Sequence, residues 1–126
     1  MMADPFIPDV IREFIIKRID SIAQIEALLL VRSNPQEEWT AAQIAARLYV
    51  SEAEAADALD RLCVADLLRS VDGRYRLDGI PPQHAALIEQ LLAVYTKHLI
   101  PVTDIVHSKP RRIGSFADAF RFRKDR

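Results

Sequence analysis

Thr40-Ala41-Ala42-Gln43, Ser51-Glu52-Ala53-Glu54 and Leu68-Arg69-Ser70-Val71-Asp72-Gly73-Arg74-Tyr75-Arg76-Leu77 decide how this chain folds. The first two stretches have the form of a capping box. A Ser or Thr oxygen accepts from the backbone N–H three residues on, and the Glu or Gln there reaches back to the cap N–H. Apolar residues follow each box at helical spacing: Ile44, Ala45 and Leu48 after the first, Ala55, Leu59 and Leu62 after the second. Tyr49 and Val50 are left as a short turn between two helices. In the third stretch Asp72-Gly73 favours a type I′ hairpin, because both central residues take positive φ. A two-residue turn sets Val71 opposite Arg74, Ser70 opposite Tyr75, Arg69 opposite Arg76 and Leu68 opposite Leu77. Alternation then puts Leu68, Ser70, Tyr75 and Leu77 towards the helices, and Arg69, Val71, Arg74 and Arg76 away from them.

Upstream, residues 1–8 carry Pro5 and Pro8 and read as a flexible lead-in. Asp9 is placed to cap a helix bearing Val10, Ile11, Phe14, Ile15 and Ile19 on one stripe. Ser21-Ile22-Ala23-Gln24 is a further capping box, and its helix should bury Ile22, Ile25, Leu28 and Leu29 before Asn34-Pro35 stops it. Trp39, just ahead of the Thr40 cap, fits a hydrophobic staple onto Ile44. Downstream, Gly79 to Pro82 is a linker. Gln83 to Ile100 reads as one long amphipathic helix with Leu87, Ile88, Leu91, Leu92, Tyr95 and Leu99, kinked at Pro101 and continued by Val102, Ile105 and Val106. Lys109-Pro110 closes it, and Ile113, Phe116, Ala117 and Phe120 recur at helical spacing beyond. The expected organisation is a lead-in (1–8), a helical and ribbon domain (9–79), an amphipathic helix (83–108) and a basic tail (109–126).

Residues 21–77 resemble the winged helix-turn-helix superfamily through three features: the helix from Ser21, the capped pair at Thr40 and Ser51, and the ribbon from Leu68 to Leu77. The amphipathic helix after the ribbon resembles the dimerising helix of many small bacterial regulators of that class. The resemblance implies a mainly α fold with a two-stranded β wing, an N-terminal helix and a C-terminal helical extension. Members bind DNA, RNA or other proteins on one scaffold, so the surface has to decide between them.

The chain has 126 residues, half of them hydrophobic and 28% charged, which suits one folded domain with an appendage. Cys63 is the lone cysteine, so no internal disulfide is available, and it sits among leucines as a small apolar residue. No leader is visible at the N-terminus. The longest apolar run, Ala27 to Val31, is too short to cross a bilayer. The cytoplasm is the expected compartment, with no integral membrane segment. A net charge of −1 conceals a split. Residues 1–108 hold ten Lys/Arg against sixteen Asp/Glu, whereas residues 109–126 hold seven against two.

Three surfaces carry the functional expectations. The second helix of the capped pair, the one that reads DNA in family members, presents Glu52, Glu54, Asp57 and Asp60 with Arg61 as its one cation. Phosphate neutralisation needs Lys or Arg, so that face is ill suited to nucleic acid. Capping and the helix dipole account for Glu52 and Glu54 and leave Asp57 and Asp60 unexplained. The wing offers Arg69, Arg74 and Arg76, with Arg69 and Arg76 directly opposed, an arrangement eased by an anion between them. The tail offers Phe116 and Phe120 with Arg121, Arg123 and Lys124, either docking on a partner or folding back on the acidic body. His84, His98 and His107 lack ligand spacing, three glycines cannot build a phosphate loop, and no nucleophile–base set emerges. No catalytic residue, cofactor or metal is therefore expected. The first reading is a non-catalytic regulatory or adaptor module working through protein contacts. The second is a dimeric DNA-binding transcriptional regulator using the wing arginines. A third is peripheral membrane association through the tail.

Overall fold

The computed structural model describes residues 7–108. Its elements are α1 (Asp9–Arg18), α2 (Ile22–Ser33), α3 (Ala41–Leu48), α4 (Glu52–Val64), β1 (Arg69–Val71), β2 (Arg74–Arg76), α5 (Pro82–Lys97) and α6 (Leu99–His107). The described chain is thus mainly helical with a small antiparallel sheet. The tail from Lys109 to Arg126, including Phe116, Phe120, Arg121, Arg123 and Lys124, lies outside the described residues.

The capping signals act as the sequence suggests, with two exceptions. Ser21 and Thr40 each accept from the N–H three residues on, and Gln24 and Gln43 each accept from the cap N–H. At Ser51 only half the box forms: its hydroxyl accepts from the Glu54 N–H, and the Glu54 carboxylate points to solvent. Asp9 is not a cap. Pro8 holds that position, and its carbonyl accepts from Ile11 and Arg12 N–H at 3.0 Å each. Pro8 is suited to this role because its fixed φ prepares the turn, while Asp9 inside the first turn complements the helix dipole.

Two helical groups share one core. In the first, α3 packs on α4 and α2 packs on both; in the second, α1 packs on α5 and α6, with α2 touching α5 between the groups. Ile11, Ile15, Ile19, Ile25, Leu28, Ile44, Leu59, Leu62 and Leu91 are fully buried. Ile7, just ahead of α1, is buried too, so the lead-in is anchored at its last apolar residue. Val10 is 53% exposed and does not belong to the α1 stripe. Ile22 and Leu29 are only half-buried, whereas Gln24, the polar member of its capping box, is fully buried. The buried Gln24 Oε1 accepts from Ser21 N–H at 2.8 Å, so the cap itself is enclosed by the core.

The ribbon has the expected register, Val71 opposite Arg74, Ser70 opposite Tyr75 and Arg69 opposite Arg76. Asp72 and Gly73 take φ of 53° and 77°, as a type I′ turn requires. Leu68 and Tyr75 face the core, while Ser70 is exposed and Leu77 half-buried. A third segment joins the sheet: Trp39 N–H donates to Tyr75 O at 3.1 Å, and Tyr75 N–H donates to Trp39 O at 2.8 Å.

The helix after the ribbon breaks earlier than Pro101. α5 ends at Lys97, and His98 takes φ −132° and ψ 60° before α6 begins. An unbroken helix would drive the Pro101 ring into the Lys97 carbonyl. With His98 as the α6 cap, Pro101 falls in the first turn, where a missing N–H costs no helical hydrogen bond. The break rotates Leu99 and Ile100 outward, to 49% and 65% exposure, while Val102, Ile105 and Val106 remain buried. Of the apolar row on this helix, Ile88, Leu91, Leu92 and Tyr95 are buried within the chain itself, and Leu87 is half-buried.

Gly79, with φ +84°, lies under the Arg69 side chain, and an added Cβ would come within 2.7 Å of its Cδ. Gly73 has comparable φ but open space around it. Gly73→Ala is expected to cost about 1 kcal/mol from backbone strain alone. Gly79→Ala should cost more, because the Arg69 stem must also leave. Urea midpoints of the two variants check the difference, and equal losses would show that Arg69 gains nothing from that contact.

Candidate functional site

The α3–α4 turn is built around Tyr49, which caps α3 in the left-handed region at φ 61° and ψ 42° and is 93% exposed. A bulky residue there carries a steric cost of about 1 kcal/mol, which a glycine would avoid. Beside it, Ile22, Ala23, Leu48 and Val50 line a groove of about 370 Å³ between the start of α2 and this turn, with Glu26 and Glu54 on its walls. Arg47, also on the groove, places its guanidinium 5.6 Å from the centre of the Trp39 ring. Trp39 is buried as part of the core that includes Ile44; its role as a sheet partner of Tyr75 is what the sequence reading missed.

The carboxylates of α4 divide by where they point. Asp60 accepts from the Tyr75 hydroxyl at 3.0 Å, tying α4 to the ribbon. Asp57 accepts from Arg61 Nε at 3.0 Å, one turn on, and Arg61 Nη1 reaches Asp20 at 3.2 Å. Asp57 and Asp60, which capping could not account for, therefore have structural partners, and so does the lone cation of the helix. Glu52 and Glu54 remain exposed in the first turn. Burial first, and then the Asp60 carboxylate, push the Tyr75 hydroxyl up to about 12. The Cys63 thiol is also raised, by burial and then by Asp60, which keeps it protonated and unreactive.

Of the opposed arginines of the ribbon, one finds acidic partners within the chain. Arg76 forms a fork with Asp78, at 2.7 and 2.8 Å, and reaches Glu38 at 2.7 Å. Asp78, two residues on, was visible in the sequence as a neighbour; Glu38 is brought in only by the Trp39–Tyr75 bridge. Arg69 lies across Gly79, and neither Arg69 nor Arg74 makes an ion pair among the described residues.

A second hollow, of about 420 Å³, lies between the end of α2 and the start of α5, floored by Leu77, Ile80 and Ile88. Its charged residues Arg32 and Glu89 are bound to each other through two hydrogen bonds at 2.8 and 2.6 Å. His84 Nδ1 lies 3.0 Å from the Asp66 carbonyl. Among the described residues no group of three His, Cys, Asp or Glu is arranged to hold a metal ion, and no helix is long and apolar enough to cross a membrane.

No family model matches the chain, and no curated protein does. Among solved structures, the crystal structure of RV1404 from Mycobacterium tuberculosis is similar at 17% identity, covering 88% of this chain and 82% of that one with a TM-score of 0.48. A likeness that distant carries no argument about fold or function.

The raised Tyr75 phenol links pH to stability with a definite sign. The stabilisation is whole below about pH 10, where an unfolded tyrosine begins to ionise, and is lost as pH climbs towards 12. Asp60→Asn is expected to lower the Tyr75 titration seen by ultraviolet absorbance, leaving burial as the remaining cause. An unchanged titration would show that the carboxylate does not act on the phenol.

Proposed function

We propose that this chain is a non-catalytic module of the winged helix-turn-helix type that works through contacts with another protein. The α3–turn–α4 pair, the Asp72-Gly73 ribbon and the Trp39 bridge to Tyr75 support that assignment of fold type. The observation that carries the functional reading is the state of Arg61. It is the one cation on α4, and it is bonded to Asp57 and Asp20. The helix that would enter a DNA groove therefore offers phosphate the exposed carboxylates of Glu52, Glu54, Asp57 and Asp60 and a cation already paired with two of the chain's own carboxylates. The other titratable groups near it, Asp60, Tyr75 and Cys63, are occupied in packing or hydrogen bonding, which argues for binding over chemistry.

The alternative is a DNA-binding regulator, and one observation favours it: Arg69 and Arg74 on the ribbon have no acidic partner among the described residues. They could track a phosphate backbone while α4 stays outside the groove.

A photo-crosslinking residue in place of the exposed Ala53 on α4 is expected to give discrete protein adducts in cells and none to nucleic acid. Gel shifts separate the two readings further. Under the protein reading, Arg74→Ala leaves any retention of duplex DNA by the basic tail unchanged. A shift that Arg74→Ala weakens, with the salt slope falling by about one, would establish the DNA reading instead.

A further inference from the structure

We propose that the groove between the start of α2 and the α3–α4 turn is the docking site for this chain's own basic aromatic segment, residues 113–124, with Phe116 and Phe120 as anchors and Arg121 and Arg123 set towards Glu26 and Glu54. The groove has the makings of a receptor for such a segment. Ile22, Leu48 and Val50 are apolar yet only half-buried, and Tyr49 stands almost fully exposed at the rim in a conformation that disfavours it. A volume of about 370 Å³ is that of a small ligand pocket. One carboxylate is fixed in place, because Glu26 accepts a hydrogen bond from the Tyr95 hydroxyl. The groove's cation, Arg47, is drawn over the Trp39 ring.

Charge selects both the occupant and the site. Residues 1–108 carry a net −6 and residues 109–126 a net +5, with Phe116 and Phe120 one helical turn apart in sequence. The larger hollow beside α5 is a poorer receptor, since Arg32 and Glu89 there neutralise each other. Reach is sufficient. The Tyr95–Glu26 contact sets the end of α5 beside the groove, and the nine residues of α6 carry the chain about 14 Å onward. The stretch from Ser108 to Phe116 spans up to about 28 Å when extended, enough to return.

Carbodiimide cross-linking of the full-length protein, with isotope-labelled and unlabelled copies mixed, tests this directly. The expected product joins Lys124 to Glu54 or Glu26 within one copy, and it is lost at high salt and in a Phe116→Ser/Phe120→Ser variant whose circular dichroism is unchanged. Lys124 joined to carboxylates remote from the groove, joined only between labelled and unlabelled copies, or not joined at all would overturn the proposal.

Discussion

Tyr75 holds the ribbon to the rest of the molecule at two points. Its backbone N–H and C=O both bond to Trp39, and its hydroxyl donates to Asp60 on α4. Two strands of three residues each are too short to be stable alone in water. What fixes them is the third segment at Trp39 on one side and the phenol beneath. Trp39 also leads directly into the Thr40 cap of α3, so the same bridge sets where the helical pair begins. Arg76, next to Tyr75, then finds Glu38, next to Trp39, and the opposed arginines of the hairpin are relieved within the chain.

This arrangement changes the meaning of the acidic helix. Four carboxylates on one short helix look like a functional surface when they are read as a row. In the fold, Asp60 accepts a hydrogen bond from a phenol and Asp57 pairs with an arginine that also reaches Asp20. The exposed ion pairs contribute little to stability individually, about 0–1 kcal/mol each. Their consequence for binding is larger, because they pair the only positive charge that α4 possesses with carboxylates of the chain itself. The acidic first turn, with no such partner for Glu52 or Glu54 among the described residues, lies exposed near the projecting ring of Tyr49.

Much of the fold was legible because its signals are local. A capping box spans four residues, a type I′ turn two, and a two-residue hairpin dictates its own register, so α2, α3, α4 and the ribbon could be placed from short stretches. The misses have a common physical origin in longer-range geometry. Nothing near Trp39 announces a sheet partner 36 positions away, and Gln24 is polar in any pattern although the core encloses it. The break at His98 follows from a proline three residues later, whose clash is felt one turn upstream; periodicity alone carried the apolar row on to Leu99. Of the candidate surfaces, Arg69 and Arg74 lie exposed on the ribbon as expected, whereas Arg76, Asp60 and Arg61 are engaged by Glu38, Tyr75 and Asp20, partners that only folding supplies.

The claim that the α4 carboxylates serve the fold is tested most directly by a double-mutant cycle on Asp60→Asn and Tyr75→Phe, with stabilities from urea unfolding. A hydrogen bond to a charged acceptor at this partly buried position predicts a coupling of about 1 kcal/mol or more. Losses that simply add, within about 0.3 kcal/mol, would contradict it and return Asp60 to the solvent surface as a residue in need of another explanation.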